Sequence, residues 1–562
     1  MSRITFASQT GRPCFLRPEH RRTHMHVIGA SNTGKSYFLE NMIREDIKAG
    51  AGVCVIDPHG ELHDRLVDWL SGSGYGNRRQ VHIIDPHDAR FTVGFNPLCA
   101  GDADPTMRVL VMVNALTKAL GLTDEQSKVR LQKCLFLVLY ALAVRRESVL
   151  EAPRFSHLSQ LDEARQDVEA LPSDKVREAW NEFHSYPPRQ FLEYMESVNT
   201  RFLPFITSPV LSAIMGQTEN VLDLKRCMEE RHVVLVNLAG RDKFLPQTGQ
   251  AIAAMLCADL YVSALSRSVE EAKQNPFYCY VDECARFLTD DVVYALDETR
   301  KFGLHYVLAH QRWNQLTKYG EDFAHGIMEG AQAKVVFRIA GEETAQMLGD
   351  HLFRAVYNDE LRKTHQTSPV VVGHRRAWFE NESTTMTDID ETVESEGGAS
   401  TSGSSEYLPD EGEGDGHTES QSETCSWSRT RRMSSTEAHT RGRSEGLVPI
   451  IEERGNPLSL EEQRHRGIQR LRGLRDREAL VFLPGEGAPF PVCSLDIKTP
   501  RIFPSMRSQY VQRFAEDSDF THETSAVLAQ IEERRGIAVS MIDGSDDEDI
   551  VFPNPPRQRG AG

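Results

Sequence analysis

The chain has no cysteine pair at C-x-x-C spacing and no dense cysteine cluster; its ten cysteines lie scattered. That excludes a disulfide-stapled scaffold and a ribbon-type zinc module, and it suits a reducing compartment. Cys279 and Cys284, which bracket the end of an apolar run, read as core packing. Long hydrophobic runs are missing as well. The longest, Cys134 to Val144, has eleven residues, against the ~20 that a membrane-spanning helix requires. The stretch from Ala251 to Leu265 carries Asp259 and reads as a buried helix. Met1-Ser2-Arg3-Ile4-Thr5-Phe6 lacks the build of a secretory signal, so a cytoplasmic location is expected.

Positive charge is also in short supply, with 64 Lys and Arg against 82 Asp and Glu and a net charge of −18 over 562 residues. Taken globally this argues against a nucleic-acid partner. The distribution argues otherwise. Residues 381–446 carry fifteen acidic and five basic residues, and residues 514–552 carry eleven and two. Outside these two segments the chain is close to neutral and free to present local basic surfaces.

What is present is a complete phosphate loop, Gly29-Ala30-Ser31-Asn32-Thr33-Gly34-Lys35-Ser36. It follows the apolar run Met25-His26-Val27-Ile28 and opens into a helical pattern from Tyr37 to Ile43, the strand–loop–helix setting that such a loop needs. Its glycines let backbone N–H groups close around phosphates, and the helix N-terminus adds partial positive charge. Lys35 would reach the β- and γ-phosphates of ATP, and the Ser36 hydroxyl would join a Mg2+ shell.

Apolar strands alternate with helices up to about residue 100, and two of the strands end in near-identical phrases. These are Val55-Ile56-Asp57-Pro58-His59-Gly60 and Ile83-Ile84-Asp85-Pro86-His87-Asp88. Such alternation predicts an α/β fold with a mainly parallel sheet. From 101 to 220 helical spacing takes over, which reads as an all-helical insertion. Strands return at Val233–Leu238, Tyr278–Asp282, His305–Ala309 and Lys334–Ile339, with a helix from about Gln247 to Ser266. The Ser/Thr/Glu/Gly-rich tract from Glu382 to Gly446 is too polar to offset its ordering entropy and is predicted to be disordered. Beyond it come a capping box at Ser459-Leu460-Glu461-Glu462, a hairpin through 479–483 and 490–493, and an acidic tail with one helix over Thr524–Arg535.

A phosphate loop alone leaves kinase, GTPase and motor open. Phe277-Tyr278-Cys279-Tyr280-Val281-Asp282-Glu283 narrows the choice, because an apolar strand delivers adjacent carboxylates to its C-terminal end. There Asp282 would hold Mg2+ and Glu283 would polarise the attacking water, a role that hydrolysis needs. The next strand ends in His310-Gln311, placing Gln311 to sense the γ-phosphate. Between them, Arg300 is the candidate cation reaching a neighbouring subunit's nucleotide, with Arg201, Arg286 and Arg338 as lesser candidates.

These phrases together resemble the coupling ATPases of conjugative type IV secretion, within the FtsK–HerA group of DNA-pumping motors. Ile56-Asp57-Pro58-His59-Gly60-Glu61-Leu62 and Gly94-Phe95-Asn96-Pro97-Leu98 look like phrases of that family. Arg300 and Gln311 follow Glu283 at similar spacings, 17 and 28 residues. The resemblance covers roughly 20–380 and 447–500. It implies a RecA-like P-loop NTPase with an inserted all-α domain, assembled as a homo-hexamer around DNA and using ATP and Mg2+. In it Lys35, Glu283, Gln311 and Arg300 would serve catalysis, and Ser36 and Asp282 would hold the metal.

The implied layout is a motor domain in parts at 1–100 and 221–380, completed by the helix and hairpin of 447–505. The insertion occupies 101–220, the acidic linker 381–446 and a mostly disordered tail 506–562. A relaxase or other cargo protein is a further partner, as is a separate membrane-anchoring or channel subunit, since membrane-anchored members begin with transmembrane helices. The rival readings are a HerA-like DNA-processing or packaging ATPase and a nucleotide-gated cargo adaptor with slow hydrolysis. Among basic residues of the insertion, Lys128, Arg130, Arg189 and Arg201 are candidates for DNA contact.

Overall fold

The core of the fold is a set of short, largely apolar strands of four to seven residues that are covered on both faces. The computed structural model describes all residues except 1–3, 8–12, 100–103, 120–124, 156–160, 289, 354–361, 388–435, 487–488, 499 and 536–562. Its strands are β1 (Ile4–Ala7), β2 (Pro13–Leu16), β3 (Met25–Ile28), β4 (Gly52–Asp57), β5 (Val81–Ile84), β6 (Phe91–Val93), β7 (Val233–Asn237), β8 (Phe277–Val281), β9 (Leu304–His310), β10 (Ala333–Phe337), β11 (Arg362–Thr387), β12 (Thr436–Pro457), β13 (Glu478–Phe482), β14 (Phe490–Cys493) and β15 (Thr521–Glu523). Every residue of β3, β4, β7, β8, β9 and β10 is buried. That explains their near-continuous apolar runs, broken within the strands only by the buried His26, His305 and Lys334, where a half-exposed strand would alternate with polar residues.

Residues 1–356 with 464–562 form one unit and 357–463 a second. The first unit is built on an eleven-stranded sheet of order β2-β1-β14-β13-β10-β3-β9-β8-β4-β7-β5. Seven neighbouring strands, β10 to β5 in that order, are parallel, and β13 opens the antiparallel end against β10. The mainly parallel α/β sheet is therefore as the sequence predicts. The hairpin β1–β2, absent from the sequence reading, extends it through β14.

Helices 35–48 and 61–73 cover one face, burying Phe38, Leu39, Met42, Ile43, Leu62 and Leu66 against Val27, Val53, Val55 and Val335. Helix 246–265 packs on helices 106–119, 224–229 and 290–298. Among the described residues it is the one helix long and apolar enough to cross a membrane, yet 83% of its apolar window is buried within the fold. Its Asp259 pairs with Arg108, which is how a carboxylate is accommodated there. Helices spanning 106–119, 125–144, 161–169, 174–184, 188–207 and 209–215 fill the interval between β6 and β7.

Two stretches differ from expectation. The tail was to be mostly disordered from 506. Instead, helix 504–516 packs on helix 61–73 and β5, and β15 pairs with β6, while the one helix expected there forms over 524–534 and packs on helix 209–215. Phe514, Phe520, Val527 and Ile531 are buried there, an amphipathic pattern that the acidic composition hides. Residues 536–562 lie outside the described residues. The acidic tract also differs at its two ends. In the second unit β11 pairs with β12 as an antiparallel ribbon, with Asn381 opposite Gly442 and Thr387 opposite Thr436, so 381–387 and 436–446 are strand. Threonine-rich ends favour extended backbone. Residues 388–435 lie outside the described residues. The capping box forms as expected, Glu462 N–H donating to Ser459 Oγ at 3.2 Å and Ser459 N–H to Glu462 Oε2 at 2.9 Å.

Candidate nucleotide site

Strand order brings the polar strand ends together. β3 delivers the phosphate loop, β9 lies beside it, and β8 and β4 follow, so Gln311, Asp282-Glu283 and Asp57 line up along the C-terminal edge. The loop turns into its helix at Gly34, whose φ of +104° and separation of 3.1 Å from the Arg477 Cα to an added Cβ require a glycine. Lys35 folds back onto its own loop, its Nζ donating to the Gly29 carbonyl at 2.6 Å and the Ala30 carbonyl at 3.1 Å. Burial lowers its pKa, while the negative charges of Glu283 and Asp282 work against that. Thr33 Oγ1 donates to the Ala30 carbonyl at 2.7 Å and stiffens the loop. Ser36 is half-buried on the first turn of the helix.

Asp282 and Glu283 are both buried. Burial, with the nearby negative charges of Asp57 and Glu283, pushes the Asp282 pKa up to about 7. Asp57 is itself committed to its turn, Oδ1 accepting from His59 N–H at 2.8 Å and Oδ2 from His63 N–H at 2.9 Å. Glu283 has a φ of +46°, a left-handed conformation costing ~1–3 kcal/mol in a non-glycine residue. Its Oε1 accepts from Gln311 Nε2, and its Oε2 is buried without a partner. Ser31 Oγ in turn donates to Gln311 Oε1 at 2.8 Å. One glutamine thus bridges the phosphate loop and the carboxylate. Three crowded carboxylates, one unpartnered buried oxygen and a hydroxyl at the helix start are a donor set that fits a hard divalent cation such as Mg2+.

The arginines divide. Arg338 flanks the loop, its carbonyl accepting from Ala30 N–H at 3.0 Å and its Nη2 lying 2.9 Å from Asp476. Arg286 sits on the turn just after Glu283. Arg201 lies on helix 188–207 and donates to the Ser197 carbonyl at 2.6 Å. Arg300, exposed in the turn 299–302, precedes β9 and so lies at the opposite edge of the sheet; the strand's length puts it ~20 Å from Gln311. Its own chain does not bring it to the site. The sequence reading missed Arg477. Its N–H donates to the Thr33 carbonyl at 2.8 Å, its guanidinium lies 5.0 Å from the Tyr37 ring centroid, and its φ is +68°. It lies far along the chain from the loop and belongs to no motif; only the pairing of β13 with β10 brings it there.

A family model described as the central domain of helicase HerA matches residues 6–132, and one described as the TraM recognition site of TraD and TraG matches residues 276–396. No curated protein matches. Among solved structures, the unbound monoclinic form of the bacterial conjugative coupling protein TrwBdeltaN70 is 16% identical with a TM-score of 0.52, covering 88% of each chain. Its trigonal form in complex with sulphate is 14% identical with a TM-score of 0.51, covering 89% of this chain and 91% of that one. The plasmid coupling protein TrwB in complex with ADP and Mg2+ is 18% identical with a TM-score of 0.47, over 61% of this chain and 76% of that one. The two TrwBdeltaN70 forms share the fold described above.

Proposed function

We propose, for a chain that belongs to the conjugative coupling-protein branch of the FtsK–HerA superfamily of P-loop ATPases, that it is an ATP-dependent DNA translocase. In this reading it works as a homo-hexameric ring that feeds DNA, or a relaxase joined to DNA, into type IV transfer. The observation that carries the reading is the contact chain Ser31–Gln311–Glu283, which links the phosphate loop to the carboxylate through the end of β9. A motor must convert loss of the γ-phosphate into movement, and a side chain held by both partners registers that loss.

Bound Mg2+ supplies charge neutralisation on the phosphates; Ser36 and Asp282 are the residues that would hold it. Lys35 exchanges the Gly29 and Ala30 carbonyls for charged β- and γ-phosphate oxygens, a stronger set of acceptors. Glu283, oriented by Gln311 on one oxygen, keeps the other to accept a proton from the attacking water. Arg300, exposed on the far edge, acts on the nucleotide of the neighbouring subunit.

The test is ATP hydrolysis by the full chain with and without DNA. Turnover stimulated by DNA, and lost in Lys35→Ala and Glu283→Gln, is the expected result. Turnover indifferent to every DNA form despite tight ATP binding would replace the motor with a nucleotide-gated adaptor. The HerA central-domain match favours one second reading, processing of double-stranded DNA outside conjugation. Stimulation by duplex alone, with no membrane-bound partner recovered from cells, would select it.

A further inference from the structure

At the edge of the sheet, away from the phosphate loop, three metal-ligating side chains converge. His82 on β5, Cys227 on helix 224–229 and His232 in the approach to β7 are all buried, and one ligand atom of each lies within 4.8 Å of the others. His82 Nε2 and His232 Nδ1 face each other at 3.0 Å. Each ring is held from behind: Ser518 Oγ lies 2.7 Å from His82 Nδ1, and Glu230 Oε2 lies 2.9 Å from His232 Nε2. The segment that presents the ligands is itself fixed. His232 N–H donates to the Cys227 carbonyl at 2.8 Å, and Arg231 between them adopts a φ of +59°.

We infer that His82, Cys227 and His232 form a binding site for one borderline-soft divalent cation, Zn2+ by its donor set. Two imidazole nitrogens and a thiolate suit Zn2+ and not Mg2+, and the fourth position falls to a water molecule. A carboxylate behind one histidine and a hydroxyl behind the other are the outer partners that orient ligating imidazoles and fix their tautomers. Without an ion, Ser518–His82–His232–Glu230 is a complete hydrogen-bond relay, but the relay leaves the Cys227 thiol among the donors with no part to play. The ion would staple edge strand β5 to the point where the chain returns from the helical interval into β7. Through Ser518 it would also tie down the segment between helix 504–516 and β15. The site is independent of the motor reading, since it shares no residue with the nucleotide site.

The experiment is metal analysis of the full chain purified without a polyhistidine tag, followed by cobalt substitution of the stripped protein. About one equivalent of zinc per chain is expected, and Co2+ should give a thiolate-to-cobalt charge-transfer band. Cys227→Ser should lose both, while Cys99→Ser, at an exposed cysteine, should keep both. Glu230→Gln removes no ligand and should weaken Co2+ binding about tenfold to a hundredfold with an unchanged circular dichroism spectrum; it decides the matter if Cys227→Ser does not fold. A folded protein with neither zinc nor a cobalt band overturns the site, as does metal that survives Cys227→Ser.

Discussion

Two stretches of this chain share almost the same words and do different work. Asp57-Pro58-His59 ends β4 and Asp85-Pro86-His87 follows β5, and both make the same turn: Asp57 Oδ1 accepts from His59 N–H at 2.8 Å, and Asp85 Oδ1 from His87 N–H at 3.0 Å. They part at the next residue. Gly60 takes a φ of +80° and caps helix 61–73, whereas the Asp88 N–H returns to the Asp85 carbonyl at 3.1 Å and the chain runs on to β6. They part again in their neighbours. β4 lies between β8 and β7, so Asp57 bears on Asp282, while β5 is the edge strand and Asp85 meets Asn237 at 3.0 Å. Asp85 also lines a 440 Å³ cavity with Val67, Phe514 and Arg507. Local sequence sets the turn; strand order sets the chemistry.

The sharpest way to break this contrast is to remove one carboxylate from each place. Glu283→Gln should lower turnover by about 10² to 10⁴-fold, the usual worth of a general base, with nucleotide binding retained. Asp85→Asn in the same assay should stay within about twofold. A comparable loss in both would mean that the edge strand takes part in the chemistry. The next effect is on stability. Gly60→Asp copies the second phrase into the first, forcing a side chain into a left-handed conformation where an added Cβ would lie 2.8 Å from Asn237 Oδ1. It should cost ~1–3 kcal/mol in denaturant unfolding. The reciprocal Asp88→Gly strains nothing and gives up the hydrogen bond that Arg90 N–H donates to Asp88 Oδ1 at 2.9 Å. It should cost about 1 kcal/mol and less than Gly60→Asp; equal costs would mean that the two turns do not differ in backbone demand.

The same contrast explains what could be read in advance. Strands β3, β4, β8 and β9 are buried on both faces, so burial wrote itself into the sequence as largely apolar runs ending beside Gly, Asp or Gln. The phosphate loop, Asp282, Glu283 and Gln311 were legible because each sits at the end of such a run. The ribbon β11–β12 was not. Val371, Trp378 and Leu447 are exposed on it, and its ends are Thr, Ser, Glu and Arg, which read as a solvated linker. Helix 504–516 was hidden for a related reason: Phe514 is its one fully buried residue, so its apolar stripe is too thin to stand out from a polar sequence. Arg477 and the bridge from Ser31 to Gln311 depend on contacts between distant segments, and no local pattern encodes them.

The effect most specific to carboxylate crowding is a slope. In the protein free of nucleotide and Mg2+, burial and the charges of Asp57 and Glu283 hold the Asp282 pKa up to about 7, against ~3.9 for an unfolded aspartate. Between these values the folded protein keeps a proton that the unfolded chain has released. Asp282 therefore makes stability fall as pH rises from about 4 to about 7. Asp282→Asn removes the ionisable group, so its unfolding midpoint should lose that part of the decline and exceed the parent's above about pH 7. Asp57→Asn should act in the same direction and less strongly, because burial is the larger cause of the shift. If Asp282→Asn leaves the slope between pH 4 and pH 7 unchanged, the carboxylates are not crowded enough to demand a cation, and the contrast between the centre of the sheet and its edge loses its electrostatic half.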